Sequence, residues 1–308
     1  MKDISKYRGI FPAFYACYDK NGDISPEAVR TLTRFFIERG VNGLYVGGSS
    51  GECIYQSPAE RKVVLENVMA EAKGRIPVIA HVACNNTRDS MELARHAEAL
   101  GVDAIAAIPP IYFKLPDHVI AKYWNDISAA APNTDFFIYN IPQLAGVALS
   151  LPLLREMLKN PNVVGVKNSS LPIQDIQMFN HEGSLNGRAF AVFNGPDEQF
   201  ISGRVMGASG GIGGTYGTCP ELYVKLNALV ESGDLNTARA LQYDIDNLIY
   251  TLCSGKGNMY AAIKEILRRR EGIDIGGVRE PLMNLQPEDE PIIEKAGAMV
   301  DAMVQKYL

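Results

Sequence analysis

Val163-Val164-Gly165-Val166-Lys167-Asn168-Ser169-Ser170 opens with four apolar or small residues and then turns to a lysine. A short continuous apolar run of this kind is a strand buried on both faces, the environment of a parallel sheet covered by helices. The lysine at its end has two readings. Lysine is almost never fully buried without a partner, and burial disfavours its charged form, leaving part of it as neutral amine. A neutral amine at a strand end is the nucleophile that condenses with a ketone to form a Schiff base. Alternatively, the strand stops here and the ammonium reaches water.

Seven further runs flank this one at a regular pace: residues 9–17, 43–48, 76–82, 104–110, 135–140, 190–194 and the glycine-rich 207–216. Helical patterns fill the intervals, which is the signature of repeated βα units on a parallel sheet. Ser25-Pro26 sets an N-cap before a proline at the first helical position. Ser57-Pro58-Ala59-Glu60 is a complete capping box ahead of the periodic Val63, Val64, Asn67 and Val68. Residues 88–100 are amphipathic and stop at Gly101. Eight such units predict an α/β fold, a closed (β/α)8 TIM barrel rather than an open doubly wound sheet. No G-x-G-x-x-G follows the first strand, which weakens a dinucleotide-binding reading further. After the eighth strand, residues 220–232, 235–253, 260–270 and 288–307 read as helices with no strand between them. The expected organisation is therefore one domain over 1–308, with the barrel in 1–232 and a C-terminal helical extension in 233–308.

Composition narrows the function. The 308 residues are 47% hydrophobic and 21% charged, with a net charge of −5, so there is no basic footprint for nucleic acid. Met1-Lys2-Asp3-Ile4-Ser5-Lys6 lacks the apolar core of a signal peptide, and no apolar run is long enough to span a bilayer. Cys17, Cys53, Cys84, Cys219 and Cys253 are odd in number and never form a C-x-x-C pair. Disulfides or a zinc site are not expected, and a reducing cytoplasm fits. His81, His96, His118 and His181 show no metal-ligand spacing and read as surface or packing residues. The expected chemistry uses no metal and no organic cofactor.

In barrels of this kind the site lies at the C-terminal ends of the strands. Strand two ends in Gly47-Gly48-Ser49-Ser50-Gly51-Glu52. Its glycines and successive N–H groups suit a small carboxylate, or else the segment is a glycine-rich turn with a serine cap. Strand four runs into Pro109-Pro110-Ile111-Tyr112 and strand five into Tyr139-Asn140-Ile141-Pro142. Two tyrosines on the mouth that carries a lysine read as proton carriers, though a strand-end tyrosine also packs. Gly195-Pro196-Asp197-Glu198 follows strand seven, where acids cap the next helix or bind sugar hydroxyls.

Taken together, Gly47-Gly48-Ser49-Ser50-Gly51-Glu52, Tyr139-Asn140-Ile141-Pro142 and Gly165-Val166-Lys167 resemble the dihydrodipicolinate synthase/N-acetylneuraminate lyase superfamily of Schiff-base aldolases. The resemblance runs from about Gly9 to Leu282. It implies that Lys167 is the Schiff-base lysine and Tyr139 the proton shuttle, with Ser49 relaying protons between Tyr139 and Tyr112. It implies that Ser49 and Ser50 hold a 2-oxo acid carboxylate, and that Gly48, Ser169, Gly195, Asp197, Glu198 and Gly214 also contact substrate. The residue matching Tyr112 is commonly lent by a neighbouring subunit, which implies a homotetramer, a dimer of dimers. The synthases carry an arginine two residues after the Tyr-Asn-x-Pro proline, where this chain has Leu144, so that activity is disfavoured. The lyases carry Gly-x-Asp-Glu after strand seven, which Gly195-Pro196-Asp197-Glu198 fits. They usually also carry a serine next to a threonine after strand eight, where this chain has Gly214-Thr215. The implied reaction is aldol cleavage of N-acetylneuraminate to pyruvate and N-acetylmannosamine. The alternatives are a sibling aldolase or dehydratase on another 2-oxo-3-deoxy sugar acid, or a catalytically silent 2-oxo-acid sensor.

Overall fold

The computed structural model describes residues 2–308; Met1, the first residue of the expected domain, lies outside them. Eight parallel strands build one sheet: β1 (Gly9–Pro12), β2 (Leu44–Val46), β3 (Val78–His81), β4 (Ala104–Ala107), β5 (Asp135–Asn140), β6 (Val163–Asn168), β7 (Ala191–Asn194) and β8 (Gly210–Gly213). Their order is β1-β8-β7-β6-β5-β4-β3-β2. The remaining seam, β1 to β2, is closed by a parallel bridge between Ala13 and Tyr45, where the Phe14 N–H donates to the Tyr45 carbonyl at 2.8 Å. The fold is a (β/α)8 TIM barrel. Its edges are paired rather than exposed, which removes the liability of an open sheet.

The outer layer runs α1 (Pro26–Glu38), α2 (Pro58–Ala72), α3 (Thr87–Leu100), α4 (Asp117–Ala130), α5 (Pro142–Ala145), α6 (Leu151–Met157), α7 (Gln174–Gly183), α8 (Phe200–Val205) and α9 (Pro220–Ser232). The three helices α10 (Leu235–Leu252), α11 (Met259–Glu271) and α12 (Glu290–Tyr307) form the C-terminal extension. The helix starts follow the local sequence. The Ser25 side chain accepts from Ala28 N–H, and Ser57 and Glu60 satisfy each other's backbone donors. Gly101 closes α3 in the left-handed conformation.

The two longest apolar runs overstate their strands most. Only Gly9–Pro12 of residues 9–17 forms a continuous strand; beyond the Ala13 bridge and the Phe14 hydrogen bond to Tyr45, Tyr15 to Cys17 are buried under helices instead of joining the sheet. Residues 207–216 shrink to Gly210–Gly213, since Gly207 ends the α8 turn at φ +98° and Tyr216 starts a 3-10 turn. Continuous apolar character reports burial, and pairing is a separate condition.

The bore is filled by Tyr7, Phe11, Tyr45, Ile79, Phe137, Tyr139, Val164, Phe193 and Ile212 among others, while Phe136, Ile138, Val163 and Val166 face the helices. On β6 this pattern breaks the two-residue period of a strand. Val164 packs inside and Val166 outside, and the pairing of β6 with β5 shifts between Phe136 and Phe137. The bulge turns Gly165 and Lys167 inward, opposite Phe137 and Tyr139. Strict alternation from Val164 would have pointed Lys167 into the helix layer. Bulges next to active sites re-aim side chains in this way.

Candidate active site

Lys167 is 4% exposed, so of its two readings the buried one holds. Its Nζ sits 4.0 Å from the ring centroids of both Tyr45 and Tyr139. Among the described residues no carboxylate lies within ion-pair distance of it. Burial lowers its pKa to about 7, against the pull of Asp197 and Cys53 in the opposite direction. Roughly half of the amine is then neutral at pH 7, whereas an unperturbed lysine would be almost wholly charged. The two aromatic faces orient the amine without neutralising it as a carboxylate would.

Tyr139 is the in-register neighbour of Lys167 on β5. Burial raises its pKa to about 12, and interactions with the Ser49 and Ser169 hydroxyls pull it back. Ser49 and Ser169 therefore both address the phenol. Ser49, Ser50 and Gly51 form a 3-10 turn whose cap residue, Gly48, makes no side-chain capping bond, so the serine-cap reading does not hold. Ser50 instead donates to the Tyr260 hydroxyl at 3.0 Å.

Glu52 ends this loop with φ 53° and is fully buried. Its carboxylate accepts from Lys264 Nζ at 3.0 Å, from the Arg279 N–H at 2.8 Å and from the Tyr18 hydroxyl at 3.2 Å. Lys264 also donates to the Gly277 carbonyl at 2.6 Å. The pair ties the Gly48–Ser50 loop to α11 and the segment behind it. A buried ion pair of this kind fixes geometry more than it adds stability.

Asp197 is buried and does not cap α8. Its Oδ2 accepts from Thr215 N–H at 2.7 Å and from Thr215 Oγ1 at 2.6 Å, while Oδ1 has no partner and lies where a Cβ on Gly213 would fall. Burial raises its pKa to about 7, against those Thr215 hydrogen bonds. Glu198 is exposed at the rim. Gly195 is pressed against Ser169, whose Oγ lies 2.0 Å from a built Cβ. Gly214 faces the Tyr260 hydroxyl and Ser50 Oγ, 3.0 and 3.2 Å from its own built Cβ. Thr215 serves Asp197, so the strand-eight turn presents one glycine rather than a hydroxyl.

Lys167, Tyr139, Ser49, Ser50, Ser169, Asp197 and Gly214 thus converge on one mouth. Tyr112 does not join them within a single chain. It is 92% exposed at φ 89° and stacks edge-on against Phe113, so its strand-end position leads outward and not over the lysine. Leu144, on α5, is also exposed. Sequence reasoning missed Tyr45, Tyr260, Thr215 and the Glu52–Lys264 pair. Tyr45 lay in a quoted strand, but nothing local separates a tyrosine under an amine from one that merely packs.

Among the described residues no cluster of His, Cys, Asp and Glu could hold a metal ion, and no helix is long and apolar enough to cross a membrane.

Residues 6–298 match the model of the dihydrodipicolinate synthetase family. The chain is 62% identical over 308 residues to an N-acetylneuraminate lyase of Mediterraneibacter gnavus, covering 100% of this chain and 97% of the relative. It is 33% identical over 299 residues to an N-acetylneuraminate lyase of Escherichia coli, covering 97% and 98% of the two. A solved structure of a catalytic lysine mutant of Ruminococcus gnavus sialic acid aldolase superposes with a TM-score of 0.97 at 62% identity, covering 100% of both chains.

Proposed function

Because the chain belongs to the dihydrodipicolinate synthetase family, we propose that it is an N-acetylneuraminate lyase, a class I aldolase that cleaves N-acetylneuraminate reversibly to pyruvate and N-acetylmannosamine. The observation that carries the chemistry is Lys167 Nζ held 4.0 Å from the Tyr139 ring in a buried bore. Neutral Lys167 attacks the C2 ketone of the open-chain sugar acid, Tyr139 gives its phenolic proton to the carbinolamine hydroxyl, and water leaves to produce an iminium ion and a Tyr139 phenolate. The C3–C4 bond then breaks. Its electron pair flows through C3 into the iminium to form an enamine, the C4 hydroxyl proton passes to Tyr139, and C4 becomes the aldehyde carbonyl. Protonation at C3 and hydrolysis release pyruvate and return the amine.

A phenol pushed up to about pKa 12 does not ionise by itself near neutral pH. The cationic iminium beside its ring favours the phenolate, and Ser49 passes the proton onward. Proton transfer of this kind supplies roughly 10²–10⁴-fold, and the covalent electron sink and orientation the rest. Ser49 and Ser50 receive the C1 carboxylate. Gly48, Ser169, Gly195, Asp197, Glu198 and Gly214 surround the substrate, with Asp197 and Glu198 toward its hydroxylated tail.

The relay is completed by Tyr112 of the partner subunit, which makes the working unit a dimer of dimers. Its support is the outward, exposed position of Tyr112 in one chain. Mixing inactive Tyr112→Phe with inactive Lys167→Ala tests this. Activity regained in the mixture supports a tyrosine acting in trans, and none after subunit exchange overturns it. A cytoplasmic location fits five unpaired thiols.

A second reading, a sibling aldolase on another 2-oxo-3-deoxy sugar acid, is favoured by Gly214, which removes one hydroxyl contact to the tail. The deciding experiment is pyruvate release across a panel of sugar acids. Turnover of N-acetylneuraminate above the others is expected; no pyruvate from it would end the lyase reading. Borohydride with pyruvate should add a covalent mass to the protein and not to Lys167→Ala.

A further inference from the structure

We infer that His81 is a positioning residue that holds the carboxylate-binding loop and the loop after β4 in mutual register through a single neutral tautomer. The inference rests on the proposed Schiff-base chemistry at Lys167 and concerns a side chain that this chemistry does not use.

His81 closes β3, is buried, and touches both neighbouring strand ends. Its Nδ1 is 2.9 Å from the Gly47 carbonyl oxygen, and the Ile108 N–H points at its Nε2 at 3.4 Å. A carbonyl only accepts and an amide N–H only donates, so both contacts are satisfied together in one state, with the proton on Nδ1 and the lone pair on Nε2. Protonation of Nε2 would set two donors against each other. Burial and the Arg61 guanidinium hold the ring far on the neutral side.

Arg61 itself is buried and bonds chiefly to backbone; its Nη2 also lies 3.5 Å from His81 Nδ1, a longer contact than the 2.9 Å from Nδ1 to the Gly47 carbonyl, and Nη1 lies 3.3 Å from Cys84 Sγ. It donates to the His81 carbonyl at 2.6 Å and to the Ala83 carbonyl at 2.7 Å. It thereby fixes the backbone from which the imidazole projects. The ring then does two things. Through Gly47 it sets the peptide that leads into Ser49 and Ser50, the residues assigned to the substrate carboxylate. Through Ile108 it anchors the start of the segment that ends at Tyr112. Its edge also packs on Tyr139, with centroids 5.9 Å apart and planes at 87°. One imidazole therefore joins the carboxylate loop, the phenol and the tyrosine-bearing loop. Gly47 stands at φ +74°, a left-handed conformation that glycine adopts freely and a residue with a Cβ does not.

The test compares His81→Phe, which keeps an aromatic ring against Tyr139 and loses both hydrogen bonds, with His81→Asn, whose side-chain amide can reach the Nδ1 position. The probe is pyruvate, read as the concentration giving half-maximal borohydride labelling and as the KM and kcat for N-acetylneuraminate. His81→Phe should raise both half-saturation values about tenfold, the scale of one misplaced hydrogen-bond donor, with a smaller fall in kcat. His81→Asn should recover most of the loss. Thermal unfolding and circular dichroism establish that each variant is folded, and Gln replaces Phe should that variant fail. Unchanged half-saturation in a folded His81→Phe protein overturns the inference. Absence of labelling in the unmodified protein overturns the Schiff-base reading instead, so the two failures are distinct.

Discussion

Gly165→Ala tests the link between the β6 bulge and the nucleophile. A Cβ built on Gly165 lies 2.2 Å from the Ala191 carbonyl oxygen and 2.3 Å from Phe137 Cε1, where ordinary contact starts near 3.4 Å. Neither neighbour can move away easily. Ala191 is the ladder partner of Gly165 on β7, and Phe137 is wedged in the bore against Tyr7 and Phe193, at centroid distances of 5.0 and 5.9 Å. Relief therefore requires β6 to separate from β7 or the bulge to slip. Overpacking costs roughly 1–3 kcal/mol and a broken ladder bond adds about 1, so a destabilisation of ~3 kcal/mol is expected. Urea unfolding followed by the fluorescence of Trp124, the sole tryptophan and buried on α4, measures it. In the fraction still folded, a slipped bulge swings Lys167 off the two rings, and pyruvate labelling under borohydride should slow in step. Gly297→Ala is the control: its site on α12 has nothing within 4 Å of a built Cβ, and alanine there should gain up to about 1 kcal/mol. A Gly165→Ala protein within about 1 kcal/mol of the parent, labelled at the parent rate, would refute the reasoning.

Three other outcomes follow from the same geometry. With the Lys167 pKa lowered to about 7, only the deprotonated amine attacks, so cyanoborohydride labelling should fall about tenfold per pH unit below 7 and level off above it; a rate still climbing at pH 9 would contradict the depressed value. Thr215→Val removes one of the two donors to Asp197 Oδ2 and pushes that carboxyl further toward its neutral form, so KM for N-acetylneuraminate should rise about tenfold or more while pyruvate labelling stays within about threefold. Glu52→Ala strands the Lys264 ammonium in the interior and should cost about 3–5 kcal/mol in unfolding free energy, most of it recovered when Lys264→Met is added; a single variant as stable as the parent would remove the pair from the account of the loop.

The βα rhythm could be read from the chain because strands covered on both faces are apolar runs, and covered strands are what a barrel has. The position of Lys167 could be read for the same reason. Its direction could not. A two-residue alternation starting from Val164 sends Lys167 outward, and the bulge that reverses it depends on Gly165 fitting between Phe137 and Ala191, which come from the strands on either side. Glu52 had the same opacity. It appeared as the last letter of a carboxylate-binding motif, yet its partner Lys264 is 212 residues away and its work is to hold the loop.

The strand-eight turn shows how far local reading reaches on specificity. Gly214-Thr215 in place of a serine next to a threonine looks like a lost hydroxyl, and the geometry locates the loss. Thr215 is bound on both its N–H and its Oγ1 to Asp197, so its hydroxyl belongs to the acid and not to open space in the bore. Restoring a serine at 214 would bring its Cβ to 3.0 Å from the Tyr260 hydroxyl and 3.2 Å from Ser50 Oγ, tighter than most Cβ contacts. The tail contact and the Ser50–Tyr260 hydrogen bond therefore compete for one space, and this chain has kept the second. Gly214→Ser should accordingly disturb Ser50 before it adds a tail contact. The expected signature is a rise in the pyruvate half-saturation value without any gain in selectivity among sugar acids. A serine variant with improved selectivity and unchanged pyruvate binding would show instead that Tyr260 yields, and that glycine at 214 is a choice of substrate and not of packing.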